Sequence, residues 1–472
     1  MSGGEPESSF CTTTWGNPAA WRLARYVSDG LSDTGFSTLG ILQKLEKPRV
    51  PTLVVVADSL AAETGCAPPD YFELRRLVEE YVRKYLCGAE AKVEVLPGVL
   101  KAERGGRRYV FKADLGDFRL LYVYSLYTRV LEAACGSLSR VALDISHGVN
   151  YMPTLALDAA QEAAAMLAAA LAKPVELKVY QADPYPILGF RASRPSGGSD
   201  DPLSRSRENP CEPKDPGVPP PELGYNVVRR FRFNPWDLAR YVGYDKSKVE
   251  KVLTDERVLE RERLGAERVV RRALQILGAY RLGALAQLAV LAKTTSLLEL
   301  ERVVGAAVEG WRSARTVEVK GSDVAVESRT RLSEGLRALL HAHAVLTGAR
   351  RLLGQAECSS LWDCTVSFEE LKRLKKLVEG SRVVVKLVDR ELSKLAYLVS
   401  RLEREWKLYS AYRGLEKGAD GRESTFDRDF IAHAGFHSNV LLVRLADGQP
   451  ELKMNPCRWE AVEQVLLEAA YT

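Results

Sequence analysis

The chain has 472 residues, of which 46% are hydrophobic and 27% are charged, and its 67 basic and 62 acidic side chains give a net charge of +5. This composition is that of a globular protein, and the length allows roughly two to four domains. The small excess of positive charge excludes a basic nucleic-acid coat, so any contact with RNA must be local.

The first 192 residues alternate short apolar runs with segments of helical spacing. The run TLVVVA at residues 52–57 is continuous, which is typical of a strand buried on both faces of a sheet. This alternation predicts an α/β domain with an open parallel sheet and helices on both of its faces. The other predicted strands are 92–96, 108–111, 140–145 and 175–181, and the predicted helices are 70–86, 118–134 and 152–172.

The chain beyond this domain is predicted to be mainly helical. Residues 193–223 are rich in Pro, Ser and Gly, which predicts a linker or exposed loop. A helical connector at 224–328 is expected to end in a small hairpin around Gly321, at residues 316–328, and residues 329–472 form a helical C-terminal domain. The predicted helices are 259–292, 329–353, 368–378 and 387–412.

Neither a membrane span nor a metal site is expected. The apolar stretch 155–172 is interrupted by Asp158, Gln161 and Glu162, and the polar residues 1–9 are unlike a signal peptide, so we expect a cytoplasmic protein. The eight cysteines are scattered, and no C-x-x-C pair occurs. Cytoplasmic thiols are usually reduced, although the scarcity of Asn, Gln and Met is typical of thermophiles, in which intracellular disulfides occur.

Three predicted strand ends are followed by polar turns. These turns are residues 15–18 (WGNP), which follow a short strand at 11–14, and residues 58–60 (DSL) and 144–153 (DISHGVNYMP). Each turn by itself is explained by ordinary helix caps, but ligands of open parallel sheets bind beyond the carboxyl ends of the strands, so three such turns favour a shared pocket. Gly148 allows close approach of the backbone to a ligand, and the N–H groups at the following helix start suit a phosphate.

Residues 428–437 (RDFIAHAGFH) combine charged, aromatic and small residues near a helix boundary. This segment is compatible with a capped turn, or with a zinc half-site at His433 and His437 that lacks a second pair of ligands. It is also compatible with RNA cleavage, because the 2′-hydroxyl is a built-in nucleophile, histidine moves protons and arginine holds phosphate. Positions i and i+5 lie roughly 140° apart on a helix. Arg428 and His433 must therefore converge at an irregular helix start, or two copies must meet across a dimer axis.

The segment from Arg428 to Phe436 resembles the R-x4-H motif of HEPN ribonucleases, and Asp429 is the polar residue that follows the arginine in that motif. The segments TWGNP, DSL and DISHGVNYMP resemble the CARF sensor domain. Together and in this order, they resemble the CARF–HEPN ribonucleases that accompany type III CRISPR systems. The resemblance implies an α/β Rossmann-like N-terminal sensor domain, followed by a mainly α-helical connector and a C-terminal HEPN domain.

The resemblance also implies an activity. A homodimer or higher homo-oligomer would bind a cyclic oligoadenylate, with cyclic tetra-adenylate as the first candidate. This activator would switch on cleavage of single-stranded RNA in antiviral defence, without a metal or other cofactor, and the products would carry a 2′,3′-cyclic phosphate and a 5′-hydroxyl. The implied catalytic residues are Arg428 and His433, with Asp429 and Asn439 in support. The implied ligand contacts are Gly16, Asn17, Asp58, Ser59, Ser146, His147, Gly148 and Asn150.

Two other functions remain open from the sequence. A CARF-type transcription regulator would bind DNA through residues 235–264, and it would leave Arg428 and His433 unexplained. A sensor of this kind would alternatively degrade its own cyclic ligand in the N-terminal pocket.

Overall fold

The structure, a computed structural model, describes residues 8–46, 50–134, 138–149, 151–186, 203–206, 209–215, 217–249, 263–354, 357–413 and 426–471. The chain divides into two units. Unit 1 comprises Met1–Ala164, Val175–Arg232 and Trp311–Arg331, and unit 2 comprises Ala165–Pro174, Phe233–Gly310 and Leu332–Thr472.

Unit 1 is built on two β-sheets. Its strands are β1 (Ser8–Trp15), β2 (Ala24–Ser28), β3 (Leu31–Gly35), β4 (Thr52–Ala57), β5 (Lys92–Leu96), β6 (Leu100–Arg104), β7 (Arg107–Phe111), β8 (Leu138–Asp144), β9 (Val175–Ala182), β10 (Glu222–Phe233), β11 (Arg315–Lys320) and β12 (Asp323–Ser328). The larger sheet has the order β3-β2-β10-β9-β8-β1-β4-β5, and the smaller one the order β11-β12-β7-β6. In the larger sheet, β1 pairs in parallel with β4 and β8, β4 with β5, β8 with β9, and β2 with β10. The predicted parallel sheet is therefore confirmed, with an antiparallel edge hairpin of β2 and β3 that the sequence did not indicate. The predicted strand 108–111 forms β7 and lies in the smaller sheet, where it pairs antiparallel with β6.

The helices of unit 1 follow from local sequence signals. They are α1 (Leu39–Glu46), α2 (Ala61–Thr64), α3 (Tyr71–Arg83), α4 (Leu115–Ala134) and α5 (Tyr151–Leu171). The Asp70 side chain caps α3 by accepting a hydrogen bond from the backbone N of Glu73 at 2.8 Å. By length and composition alone α5 is able to cross a membrane, but 72% of its most apolar window is buried inside the protein, as in a core helix.

The predicted connector is mainly helical, as expected, but a β-strand lies at its start and a hairpin at its end. Strand β10 begins within the predicted linker and continues into the predicted connector as far as Phe233, and it belongs to the larger sheet of unit 1. The predicted hairpin around Gly321 is confirmed as β11 and β12, and β12 pairs in parallel with β7 of unit 1. The pairing of β12 with β7 could not be predicted from local sequence patterns, because the two strands lie far apart in the chain. Arg108 and Asp323, which face each other, are separated by 215 positions. Residues 193–202, 207–208 and 216 of the predicted linker lie outside the described residues.

Unit 2 combines helices with a small antiparallel sheet. Its helices are α6 (Arg263–Leu282), α7 (Leu285–Thr294), α8 (Leu297–Ala314), α9 (Glu334–Leu353), α10 (Phe368–Leu374), α11 (Arg382–Tyr397), α12 (Tyr409–Arg413), α13 (Phe426–Ala432) and α14 (Trp459–Ala470). Its strands are β13 (Thr365–Ser367), β14 (Lys407–Leu408), β15 (Leu441–Ala446) and β16 (Gln449–Met454), in the order β13-β16-β15-β14. The mainly helical character is confirmed, whereas the sheet was not predicted.

Two predicted helices of unit 2 are shorter in the structure. The predicted helix 259–292 is interrupted at Gly283, whose φ of +69° ends α6, and residues 259–262 lie outside the described residues. The predicted helix 387–412 ends at Tyr397, because β14 pairs with β15 and tertiary pairing overrides the helical spacing. The segment 235–264, the possible DNA-binding region, begins with a 3₁₀ turn at Pro235–Arg240, and its residues 250–262 lie outside the described residues.

Two disulfides occur among the described residues. Cys87 pairs with Cys211 in unit 1, and Cys358 pairs with Cys364 in unit 2. The cysteines are therefore not all reduced thiols, in line with the thermophile-like composition rather than with the usual cytoplasmic state.

Candidate functional site

The buried carboxylate of Asp144 organises the carboxyl edge of the larger sheet in unit 1. Its Oδ2 accepts hydrogen bonds from the hydroxyls of Thr13 (2.8 Å) and Thr38 (2.7 Å). Its Oδ1 accepts from both the backbone N (3.1 Å) and the hydroxyl (2.5 Å) of Ser146, and that hydroxyl in turn accepts from the backbone N of Ala182 at 2.8 Å. The hydroxyl of Ser146 thus holds the turn in shape, and its contact to a ligand stays a prediction.

The first and third polar turns pack directly against each other. The backbone N of Gly16 donates to the carbonyl oxygen of His147 at 2.7 Å. A Cβ atom at Gly16 would lie 2.7 Å from Val149 Cγ2, and one at Gly148 would lie 2.6 Å from Thr14 Oγ1. Both glycines are therefore required by close packing where the two turns meet, and this role was not predicted.

A cavity of about 640 Å³ opens beside the third turn, and aromatic side chains form much of its wall. The ring of His147 lies 4.3 Å from that of Trp21, at an interplanar angle of 30°. The Nε2 atom of His147 accepts a hydrogen bond from the backbone N of Thr38 at 3.2 Å. Burial lowers the pKa of His147 despite the nearby Asp144 carboxylate, so the ring is neutral at neutral pH. The lining includes Trp21, Tyr26, Phe36, Ser146, His147 and Tyr185.

The second polar turn does not line this cavity. Asp58 is fully buried and forms an ion pair with the equally buried Arg315 at 2.7 Å, while its Oδ1 accepts from the backbone N of Gly98 at 2.8 Å. Ser59 beside it is half-buried. Both residues stay predicted ligand contacts, but the carboxylate of Asp58 has a structural partner that the sequence did not reveal.

Two further predicted contacts lie at helix starts. The side chain of Asn17 accepts hydrogen bonds from the backbone N of Ala19 (3.0 Å) and from the hydroxyl of Tyr81 (2.8 Å), so it caps the 3₁₀ turn Pro18–Ala20. Asn150, which directly precedes α5, lies outside the described residues. A phosphate site at the start of α5 stays a prediction.

In unit 2, the R-x4-H segment forms a short helix and the turn that ends it. Arg428 and Asp429 are exposed on α13, and Arg428 forms no hydrogen bond or ion pair with another described residue. His433 follows the last helical residue, and its backbone N still donates to the carbonyl of Asp429 at 3.1 Å. Ala434 (φ +47°) and Gly435 (φ +78°) then reverse the chain. The irregularity is therefore at the end of the helix, not at its start, which was the first of the two alternatives; the second, a pairing of two copies, stays a prediction.

Gly435 fits closely against the neighbouring helix α7. The side-chain amide of Gln287 donates to the carbonyl of Gly435 at 3.0 Å. A Cβ atom at Gly435 would overlap Gln287 Oε1 and would lie 2.7 Å from the Cβ of Ala284. Gly435, two positions after His433, thus determines where His433 lies relative to α7.

The imidazole of His433 is held by a buried carboxylate. Its Nδ1 lies 2.8 Å from Oε1 of Glu391 on α11, and the side chain of Glu391 has no exposed surface, whereas that of His433 is 26% exposed. Lys394 Nζ (2.8 Å) and Arg390 Nε (3.2 Å) donate to the same oxygen. Burial alone would raise the pKa of Glu391, but the hydrogen bonds from His433 and Lys394, together with the charge of Lys394, outweigh burial and hold the pKa below its usual range.

Neither Glu391 nor Trp21 was predicted from the sequence. Glu391 leaves a weak signal: it is a lone carboxylate among the buried positions Val388, Leu392 and Leu395 of α11. Trp21 leaves almost none, because a tryptophan a few residues after a turn is also an ordinary core residue.

The remaining predicted site residue, Asn439, precedes β15. Its backbone N donates to Nδ1 of His437 at 3.3 Å, and its carbonyl accepts from the side chain of Asn455 at 2.9 Å. A supporting role for its side chain stays a prediction. Among the described residues, no group of three or more His, Cys, Asp and Glu side chains is arranged to hold a metal ion.

Unit 1 and unit 2 therefore present the features of a CARF sensor and of a HEPN domain. Residues 10–184 match the family model of the CARF domain of the CRISPR system endoribonuclease Csx1, and residues 381–455 match the model of its HEPN domain. The chain belongs to the CRISPR-associated CARF–HEPN ribonuclease family.

A similar curated protein is the CRISPR system endoribonuclease Csx1 of Methanocaldococcus jannaschii. It is 29% identical to this chain over 175 residues, and the match spans 36% of this chain and 36% of the relative. The matched part of the chain thus spans about a third of the relative's length.

Proposed function

We propose that this protein is an endoribonuclease that cuts single-stranded RNA without a metal ion when a cyclic oligoadenylate binds its CARF domain. The observation that carries the proposal is the combination of an exposed Arg428 with a His433 whose imidazole is held by a buried carboxylate. Both residues lie in the segment that matches the HEPN model, and the similar protein from M. jannaschii bears the name endoribonuclease. We place the activity in the cytoplasm and in antiviral CRISPR defence.

The proposed chemistry uses the nucleophile that RNA carries. The 2′-oxygen attacks the adjacent phosphorus as His433 takes its proton. The bond from phosphorus to the 5′-oxygen breaks, and that oxygen receives the proton back from the His433 imidazolium. The products are a 2′,3′-cyclic phosphate and a 5′-hydroxyl. Arg428 binds the phosphate and stabilises its developing negative charge. Because the nucleophile is a hydroxyl of the substrate, no metal-bound water is required.

The cavity beside the third turn of the sensor supports a nucleotide ligand. Its aromatic wall, with Trp21 against a neutral His147, suits the face of an adenine base, and base–aromatic stacking contributes about 1–3 kcal/mol per base. A cyclic oligoadenylate has rotational symmetry, so a homodimer with two such sheet edges on a twofold axis would match it. Cyclic tetra-adenylate is the first ring to test.

The position of Arg428 supports a composite site in a homodimer or larger homo-oligomer. Arg428 and His433 are five positions apart, which corresponds to roughly 140° around a helix. His433 faces α11, while Arg428 is exposed and forms no bond with another described residue. A second copy would bring its own Arg428 towards the first copy's His433.

The test is cleavage of single-stranded RNA with a panel of cyclic and linear oligoadenylates. We expect cutting only with a cyclic activator and no loss of activity in a chelator. Arg428→Ala and His433→Ala should each lower the rate by about 10²–10⁴-fold.

A single 2′-deoxy nucleotide in the RNA should block cutting at that linkage alone. Cleavage at the 2′-deoxy linkage, or abolition of cutting by a chelator, would show a water-based mechanism and refute the proposal.

A further inference from the structure

The carboxylate of Glu391 has features that a simple structural ion pair does not need. It is fully buried, yet its partner His433 remains 26% exposed at the edge of the candidate active site. Three donors, from His433, Lys394 and Arg390, converge on its Oε1, while Oε2 has no hydrogen-bond partner among the described residues. An arrangement selected for stability alone would be expected to satisfy both oxygens.

We propose that Glu391 is a positioning residue that sets the tautomer and the orientation of the His433 imidazole for proton transfer. This inference rests on the proposed ribonuclease function for its catalytic consequence. The geometric part, the contact between the two side chains, is independent of that function.

The charge state of Glu391 determines the tautomer of His433. An ionised carboxylate only accepts hydrogen bonds, so the Nδ1 atom at 2.8 Å must carry a proton. In the neutral ring, Nε2 then bears the lone pair, and no described residue forms a hydrogen bond with it. Nε2 is the nitrogen that is left to take a proton from a 2′-hydroxyl, and the carboxylate stabilises the imidazolium that results.

Helix α11 holds the histidine through two consecutive residues. While Glu391 binds the imidazole, Nη2 of Arg390 donates to the carbonyl of Ala432 at 2.7 Å, at the end of the helix that carries the motif. The backbone before His433 and its side chain are thus anchored to the same turn of α11. Such double anchoring limits the rotation of the ring and keeps Nε2 in one direction.

The first test compares Glu391→Gln with a matched control, Glu370→Gln. Glu370 is also a buried carboxylate of unit 2 with a lysine partner, since Lys293 Nζ lies 2.7 Å away. We expect Glu391→Gln to lower kcat for RNA cleavage by about 10²-fold, the lower end of the cost of losing acid–base catalysis, with little change in KM. Glu370→Gln should keep the wild-type kcat. Equal kcat values for the two variants would overturn the proposal.

A double variant separates positioning from a general structural effect. If Glu391 acts through His433, adding Glu391→Gln to His433→Ala should cost nothing further in kcat, since the group that it positions is already absent. A further tenfold loss in the double variant, or unfolding of Glu391→Gln in a thermal melt at the assay temperature, would refute a positioning role.

A readout without RNA distinguishes this inference from the proposed function. The chain has five histidines, so the ¹⁵N signals of His433 can be assigned by their loss in His433→Asn. We expect a protonated Nδ1 in the wild type and a shift towards the Nε2-protonated tautomer in Glu391→Ala, but not in Glu370→Gln. An unchanged tautomer in Glu391→Ala would overturn the inference. If no oligoadenylate elicits RNA cutting by the wild type, the proposed function fails. The tautomer measurement still tests whether Glu391 sets the protonation of His433.

Discussion

Removing one partner of the Asp58–Arg315 ion pair should destabilise unit 1 more than any change to an exposed pair of the same unit. Both side chains have no exposed surface and lie 2.7 Å apart. The change Arg315→Met keeps an unbranched chain but leaves the Asp58 carboxylate buried without its cation. Breaking a buried pair in this way costs about 3–5 kcal/mol, because the remaining charge is neither paired nor hydrated. For a unit of this size that corresponds to a fall in Tm of roughly 6–20 °C.

The matched control is Arg108→Met. Arg108 pairs with Asp323 at 2.5 Å, but their side chains are 60% and 41% exposed. Water replaces the lost contact there, so the cost should be about 0–1 kcal/mol. Thermal and urea unfolding of the full chain should be compared for both variants. A Tm for Arg315→Met as high as that for Arg108→Met would refute the reasoning.

The acid dependence of this variant gives a second check. Burial raises the pKa of Asp58, and Arg315 partly offsets that rise. Without Arg315 the pKa should rise further. A carboxyl whose pKa is raised by folding stabilises the folded state increasingly as the pH falls through that pKa, because the proton is bound more tightly than in the unfolded chain. The loss in free energy of unfolding caused by Arg315→Met should therefore be smaller at about pH 5 than at about pH 7.

The remaining predictions concern the two candidate sites. Gly435→Ala should lower the free energy of unfolding by about 2–4 kcal/mol and should lower RNA cleavage, because the added Cβ overlaps Gln287 and φ is positive. The control is Gly448→Ala, where φ is similar but the space is open. In the same urea titration it should lower the free energy of unfolding by only about 1 kcal/mol. Trp21→Ala should raise the oligoadenylate concentration for half-maximal activation roughly 5- to 150-fold by loss of stacking. The exposed Trp362 provides the control: Trp362→Ala should leave that concentration unchanged, and equal shifts would contradict a stacking role for Trp21.

The main strands and helices of unit 1 follow from local patterns. The continuous run TLVVVA is buried at every position of β4, and Asp70 caps α3 where its sequence indicates. What local patterns could not predict was the partner of a distant strand. Strand β10 joins the larger sheet through β2, with Glu222 opposite Arg25, and only the folded sheet reveals this pairing. The same reason explains the missed β-sheet of unit 2.

Only the residues of the two sites that lie within short sequence motifs could be predicted. The turn DISHG and the segment from Arg428 to His433 identify residue types that bind phosphate and move protons. Their partners are remote: Glu391 lies 42 positions before His433, and Arg315 lies 257 positions after Asp58. A buried Glu or Arg within an otherwise apolar pattern is a usable signal, since such residues are rarely buried without a partner.

Arg428 and His433 differ in how the fold prepares them, and this difference suits a switched enzyme. In the proposed mechanism, Glu391 and the backbone contact of Arg390 orient His433 for proton transfer within one chain. Arg428 is exposed and no described residue orients its guanidinium group, although phosphate binding requires a defined fork geometry. Its orientation must therefore come from the RNA or from a second copy of the chain. A ligand that changes how two copies meet would change the position of Arg428 relative to His433. The orientation of the His433 ring would stay the same, so only one part of the proposed site would have to move.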